Sequence, residues 1–317
     1  MENDLLASTR AVVVQNYCHV FGMMILLWDH VITLDAEVSY IWPRRTSPGA
    51  ILFFLVRYGA SLSNIPVVVF SFVELSDRGC TLHSVIHYVL LILVQLLICV
   101  IMIQRMAALY GSTRLLYALA ATALVLLGIT VFLAMKQTSI PMPLHGLPGC
   151  HSGLSRKSAY HLAGAWLALF LFDSIIFALT VVNAWRTASE QASASCPPSP
   201  ADSPRETNHD RASSSLQMHM PIHALFFRDG ALYFAAMAAA NFANILTFLI
   251  PSRTIIPGSL TIFTTCISVA MVSRLVINVH EKAVAASAGS DAYGCSVSFD
   301  FEFLSGQEGR ALDPEEV

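Results

Sequence analysis

Apolar positions in this chain gather into seven long runs, at approximately 12–34, 50–73, 82–104, 114–135, 158–186, 225–250 and 255–279. A hydrocarbon core about 30 Å thick takes about 20 helical residues per crossing, and each run is long enough. Backbone inside lipid must satisfy its own N–H and C=O groups, so each run is expected to be a helix. The pattern predicts an all-α membrane protein, a seven-transmembrane-helix bundle over residues 12–279.

Composition agrees with that reading. Charged residues make up 12% of the chain, hydrophobic residues 55%, and the mean hydropathy is +0.62. A soluble domain carries about 25% charged residues; a lipid-facing surface explains the shortfall, because charge is expensive there. A net charge of −3 argues against a nucleic-acid partner. Glu2, Asp4 and Arg10 stand where a cleavable signal would be basic, so the first run is expected to remain as a signal anchor.

Lys and Arg set the expected orientation. With the N-terminus outside, eleven of the 18 basic residues fall on the cytoplasmic side and six outside, with Arg57 inside the second run. The expected topology is N-out/C-in, at the plasma membrane. The 187–224 loop is then cytoplasmic. Its Ser/Pro-rich stretch SASCPPSPADSPRETNHDRASSS buries too little apolar area to fold, so a disordered loop is expected. Ser199 and Ser203 each precede a proline and are candidate phosphorylation sites. Residues 281–317 form an acidic cytoplasmic tail, with a strand-like alternation in SVSFDFEFL.

At the first two runs the residues take on a recognisable order. Asp29, Thr33, Leu34, Glu37, Ile41 and Trp42 are followed one helix later by Arg57 and Tyr58. This arrangement, over residues 17–62, resembles domain-of-unknown-function family 6533 (DUF6533), a fungal family found in basidiomycete membrane proteins. Looser similarity continues through RMAALYG, FDSIIFALT, FRDGALYF and SRLVINVHE. The resemblance implies a seven-helix integral membrane protein with its N-terminus outside. It implies no reaction, ligand or cofactor. His30 departs from the family pattern, which more often has an aromatic or aliphatic residue there.

Intramembrane charges are few. Asp29, Arg57, Asp173, Asp229 and Arg274 all fall in the cytoplasmic half on one topology. An arginine cannot readily lose its charge and needs a partner. Asp29 is expected to pair with Arg57, and Asp229 or Asp173 to lie near Arg274. Such a cluster reads as structural glue, as a switch released by an outside ligand, or as a proton or ion path. Asn64 and Arg57 are seven residues apart on one face of the second crossing, and Pro66 is expected to kink that helix. Ala235, Ala239 and Ala243 form a small-xxx-small stripe expected to pack tightly on crossing five or seven, with Asn241 and Asn244 turned inward.

Of seven cysteines, Cys80 and Cys150 fall outside, where disulfides form. A bridge between them is expected, in a layout that resembles many G-protein-coupled receptors. The resemblance stops there, since no DRY-like or NPxxY-like motif is present. His83 and His87 have a helical ligand spacing, but nothing fixes His145, His151 or His161 beside them, so no metal is expected. No Lys stands in the seventh run for a retinal Schiff base, and no Walker A, GxSxG or HExxH motif occurs, so the chain is not expected to be an enzyme. Three functions stay open: a receptor-like sensor with a small extracellular ligand and a cytoplasmic signalling partner, a transporter or channel using Asp29, Arg57 and Asp173, and a membrane scaffold without ligand.

Overall fold

The computed structural model describes residues 2–73, 75–136, 139–141, 149–150, 152–194, 222–250 and 256–293. For 2–5, 77, 139–141, 152–153, 187–188, 190–194, 222–229 and 286–293 it describes the backbone. The helices are α1 (Glu2–Ile32), α2 (Leu34–Tyr40), α3 (Pro48–Phe70), α4 (Asp77–Tyr110), α5 (Thr113–Met135), α6 (Arg156–Ala194), α7 (Ile222–Leu249) and α8 (Thr261–Tyr293). A 3-10 turn at Trp42–Arg44 follows α2. Seven of these helices, all but α2, are long and apolar enough to cross a membrane. Two short strands, β1 (Ser139–Pro141) and β2 (Ser152–Leu154), form an antiparallel ribbon with Ser139 opposite Leu154. That ribbon is a small departure from a purely helical expectation.

Local chemistry sets several helix ends. Ser47 accepts a hydrogen bond from the Ala50 amide, and Pro48 opens α3 without losing a needed donor. Ser76 caps α4 in the same way through Gly79. Gly111 closes α4 at φ 58°, a left-handed conformation that disfavours any side chain with a Cβ.

The long helices pack as a ring: α1 on α3, α3 on α4, and so on through α7 on α8, with α8 returning to α1. α8 also reaches α3 and α4, which makes it the shared wall of the bundle. The main core runs through the middle, with Leu26, Met102, Met106, Phe172, Phe234 and Val269 buried. α1 and α8 approach closely at Gly22, where an added Cβ would lie 2.7 Å from the Phe263 Cα. At the periphery the reverse holds. Leu124, Val125, Ile129, Phe132 and Met135 of α5 are exposed, while Leu119 and Thr130 are the buried residues of that helix. Apolar surface of this extent in water would cost about 25 cal/mol per Å², so the solvent around the bundle is lipid. The chain is therefore a multi-pass membrane protein.

Three elements differ from the sequence expectation. α2 was not expected; it folds back as a short helix between the first two crossings. α6 continues to Ala194 and α8 to Tyr293, so the first residues of the expected loop and tail are helical. Ala188, Ala192, Ala283 and Ala285 are strong helix formers, with no proline to stop the turn. Residues 195–221 and 294–317, including Ser199, Ser203 and the SVSFDFEFL segment, lie outside the described residues. Within the alanine stripe of α7, Ala239 is exposed and Ala235 and Ala243 are half-buried, while Phe234, Met237, Asn241, Asn244 and Phe248 face the core. α7 packs on α6, where Ala159 and Ala163 join Ile245 and Phe248 in a buried cluster. Pro66 sits inside an unbroken α3.

Candidate functional site

One arginine organises one end of the bundle. Arg57 projects from α3 and is fully buried. Its Nε pairs ionically with Glu37 Oε2 at 2.9 Å, and Nη1 lies 3.6 Å from Asp29 Oδ2. Nη2 donates to Thr33 Oγ1 at 2.6 Å and to the His30 carbonyl at 3.2 Å. The guanidinium lies 5.6 Å from the centroid of the Phe53 ring. A planar fork with five donors suits this cage, because several acceptors can be met at once.

The acceptors reach Arg57 through a helical repeat. Asp29, Thr33, Glu37 and Ile41 follow at intervals of four, and their backbone bonds (Thr33 to Asp29, Glu37 to Thr33, Ile41 to Glu37) carry one face across the end of α1 into α2. Thr33 Oγ1 also donates to the Asp29 carbonyl at 2.6 Å, which fixes its lone pairs toward Arg57. Glu37 is fully buried. Its Oε1 accepts from the Tyr58 hydroxyl at 2.8 Å and from Trp42 Nε1 at 3.2 Å. Ile41 is buried against Ala50, Phe53 and Ile277 of α8. Of the motif residues, Leu34 and Trp42 are half exposed and Tyr58 is partly so.

His30 supports the cage from behind. Its Nδ1 donates to the Leu26 carbonyl at 2.7 Å, which leaves Nε2 facing Ser61 Oγ at 3.2 Å. Its ring meets Tyr58 edge-on, with centroids 5.6 Å apart.

The second carboxylate oxygen of Asp29 is taken by α8. Arg274 Nε donates to Asp29 Oδ1. Asp29 is almost fully buried, but the Arg274 side chain is 36% exposed. The expected Asp29–Arg57 pair is thus present. Arg274 pairs with Asp29 and not with Asp173, because α8 packs beside α1, and Asp173 on α6 bonds instead to Asn241 Nδ2 of α7. Asp229 lies in the first turns of α7, and its side chain is outside the described residues. Sequence reasoning placed Glu37 in the family pattern but not in the ionic cluster. The repeat of four from Asp29 through Thr33 to Glu37 was the available signal.

The opposite end of the bundle holds a cavity of about 150 Å³. Its wall includes Asn16 and His19 of α1, His83 and His87 of α4, Trp166 of α6, and Thr261 of α8. Cys150 lies at the rim, disulfide-bonded to Cys80 with Cα atoms 5.6 Å apart, as expected. The Cys150 amide donates to the Phe70 carbonyl at the end of α3. His83 stacks edge-on against Phe70 at 4.9 Å. Among the described residues no three His, Cys, Asp or Glu side chains are grouped to hold a metal; His145 and His151 lie outside them.

Cavity and cage are separate. From His19 to Asp29 along α1, and from Val67 to Arg57 along α3, ten residues span about 15 Å. Met23, Leu26, Ala60, Cys266, Val269 and Ala270 are all buried in the layer between.

Residues 17–62 match the model of a family described as "Family of unknown function (DUF6533)". The matched segment contains every cage residue; Arg274 lies outside it. No curated protein matches the chain.

Proposed function

We propose that this chain is a receptor-like seven-helix sensor of the plasma membrane, N-terminus outside and C-terminus inside, binding a small extracellular ligand and engaging a cytoplasmic partner without catalysing a reaction. One observation carries the reading: α8 lines the outer cavity with Thr261 and Ile262 and closes on Asp29 with Arg274 about 18 Å further along. A single helix therefore touches both ends.

The two arginines differ in how firmly they hold. Arg57 has no exposed surface, two hydrogen bonds from Nη2 and ion pairs to Asp29 and Glu37, and removing a partner from such a buried pair costs about 3–5 kcal/mol. Arg274 is partly solvated, so its bond to Asp29 is screened and contributes about 1 kcal/mol or less. The cage is the fixed point and the Arg274 contact is the part that opens. A contact of about 1 kcal/mol shifts a two-state population by about fivefold, which a weak ligand can match. A transport path through Asp29, Arg57 and Asp173 would have to cross the packed Met23–Leu26–Cys266 layer, which favours the sensor reading.

The test is a distance measured between spin labels at the inner ends of α8 and α5, in Glu281→Cys/Tyr117→Cys protein. Adding Arg274→Gln is expected to lengthen and broaden the distance distribution while the protein melts within a few degrees of the parent. An unchanged distribution contradicts the sensor reading; loss of folding would make Arg274 part of the structural glue.

A further inference from the structure

We propose that the outer cavity binds a small uncharged molecule with an apolar ring or short chain and one hydrogen-bonding head. The assignment names the ligand class for the sensor reading above and rests on that reading for its biological role. Size comes first. The cavity, about 150 Å³, matches in volume one that takes benzene, so a single ring with a small head group suits it.

Charge comes second. Among the described residues no Asp, Glu, Lys or Arg lines the wall. An ionised ligand would leave water and meet no counter-charge, a desolvation loss that nothing in the wall offsets. The nearest buried carboxylate along α6, Asp173, lies one turn beyond the lining residue Leu169 and is already bonded to Asn241.

The wall has two chemically distinct sides. Leu162, Trp166, Leu169 and Phe248, from α6 and α7, form the apolar side. Asn16, His19, His83 and His87, from α1 and α4, form the polar side. His87 Nδ1 is buried without a hydrogen-bond partner. A buried polar atom of that kind is costly unless a partner arrives, so it is the anchor for the ligand's head group. The ring or chain then lies against Trp166 and Phe248.

The experiment uses three probes with one ring and different heads: benzyl alcohol, benzylammonium and benzoate. Each is titrated against the full chain in lipid nanodiscs by saturation-transfer NMR. Benzyl alcohol is expected to bind saturably in the ~0.1–1 mM range, with the two ions at least about tenfold weaker. His87→Phe, which keeps the volume and removes the anchor, is expected to weaken benzyl alcohol about fivefold. Ala165→Leu, which fills the cavity, is expected to abolish saturable binding. Thr130→Ile serves the same purpose should Ala165→Leu melt far below the parent.

Benzylammonium or benzoate binding as tightly as the alcohol would overturn the proposal. So would purely non-saturable partitioning, or binding that both the anchor and the filling variants leave unchanged. Failure of the sensor reading looks different: benzyl alcohol binds as described, but Arg274→Gln leaves the α8–α5 distance unmoved.

Discussion

At the scale of residues, the account turns on Arg57. Arg57→Ala removes the cation paired with buried Glu37 and one of the two paired with Asp29, and is expected to destabilise the protein by about 3–5 kcal/mol. Arg57→Lys is expected to recover little of that, because one ammonium cannot meet Glu37, Asp29 and Thr33 from a single point. Thermal unfolding in detergent, followed by tryptophan fluorescence, reads both; parent-like melting of Arg57→Ala would show that the cage does not hold its end of the bundle. Tyr58→Phe removes one hydrogen bond to the Glu37 carboxylate and is expected to cost about 1–2 kcal/mol in the same assay. Much of this site was legible in the sequence. Asp29 and Arg57 are charges near the same end of adjacent apolar runs, so lipid leaves them few partners but each other. Glu37 was legible only as a fourth-residue neighbour of Thr33, because its burial depends on α2 folding back. The partner of Arg274 was not legible, since nothing local to either residue says that α8 lies beside α1.

At the scale of elements, two glycines with opposite surroundings test the packing. Gly22 lies where α1 meets the α8 backbone, and an added Cβ would come 2.7 Å from Phe263 Cα. Backbone cannot step aside cheaply, so Gly22→Ala is expected to destabilise by about 1–3 kcal/mol. Gly59 in α3 has nothing within 4 Å of its Cβ position. Gly59→Ala is expected to stabilise by about 0.5–1 kcal/mol through helix propensity alone. Chemical denaturation of the two variants side by side checks the sign; Gly22→Ala melting at or above the parent would mean that α1 and α8 do not approach as described. Helix positions were readable to within a few residues because an apolar run of 20 or more has few other outcomes. The small-residue stripe of α7 is a partial guide, with Ala239 exposed and Ala235 and Ala243 half-buried, because the sequence does not say which face α6 covers. The buried face is marked instead by Asn241 and Asn244, whose polar side chains cannot remain in lipid.

At the scale of the whole molecule, the bundle has two unlike ends. One carries the Cys80–Cys150 disulfide and the cavity; the other carries the cage and the Arg274 contact. A disulfide persists on the oxidising side of a membrane. Peptide mapping of protein alkylated in intact cells is therefore expected to recover the fragments holding Cys80 and Cys150 joined, and separate after reduction. Recovery of both as free thiols would put the cavity on the reducing side. Seven helices long and apolar enough to cross a membrane then make a stricter demand, because an odd number of crossings places the termini on opposite faces. Epitope tags at the two ends, stained in intact and in permeabilised cells, measure this most directly. The account predicts that the N-terminal tag stains in intact cells and the C-terminal tag only after permeabilisation; both tags staining under the same condition would contradict it.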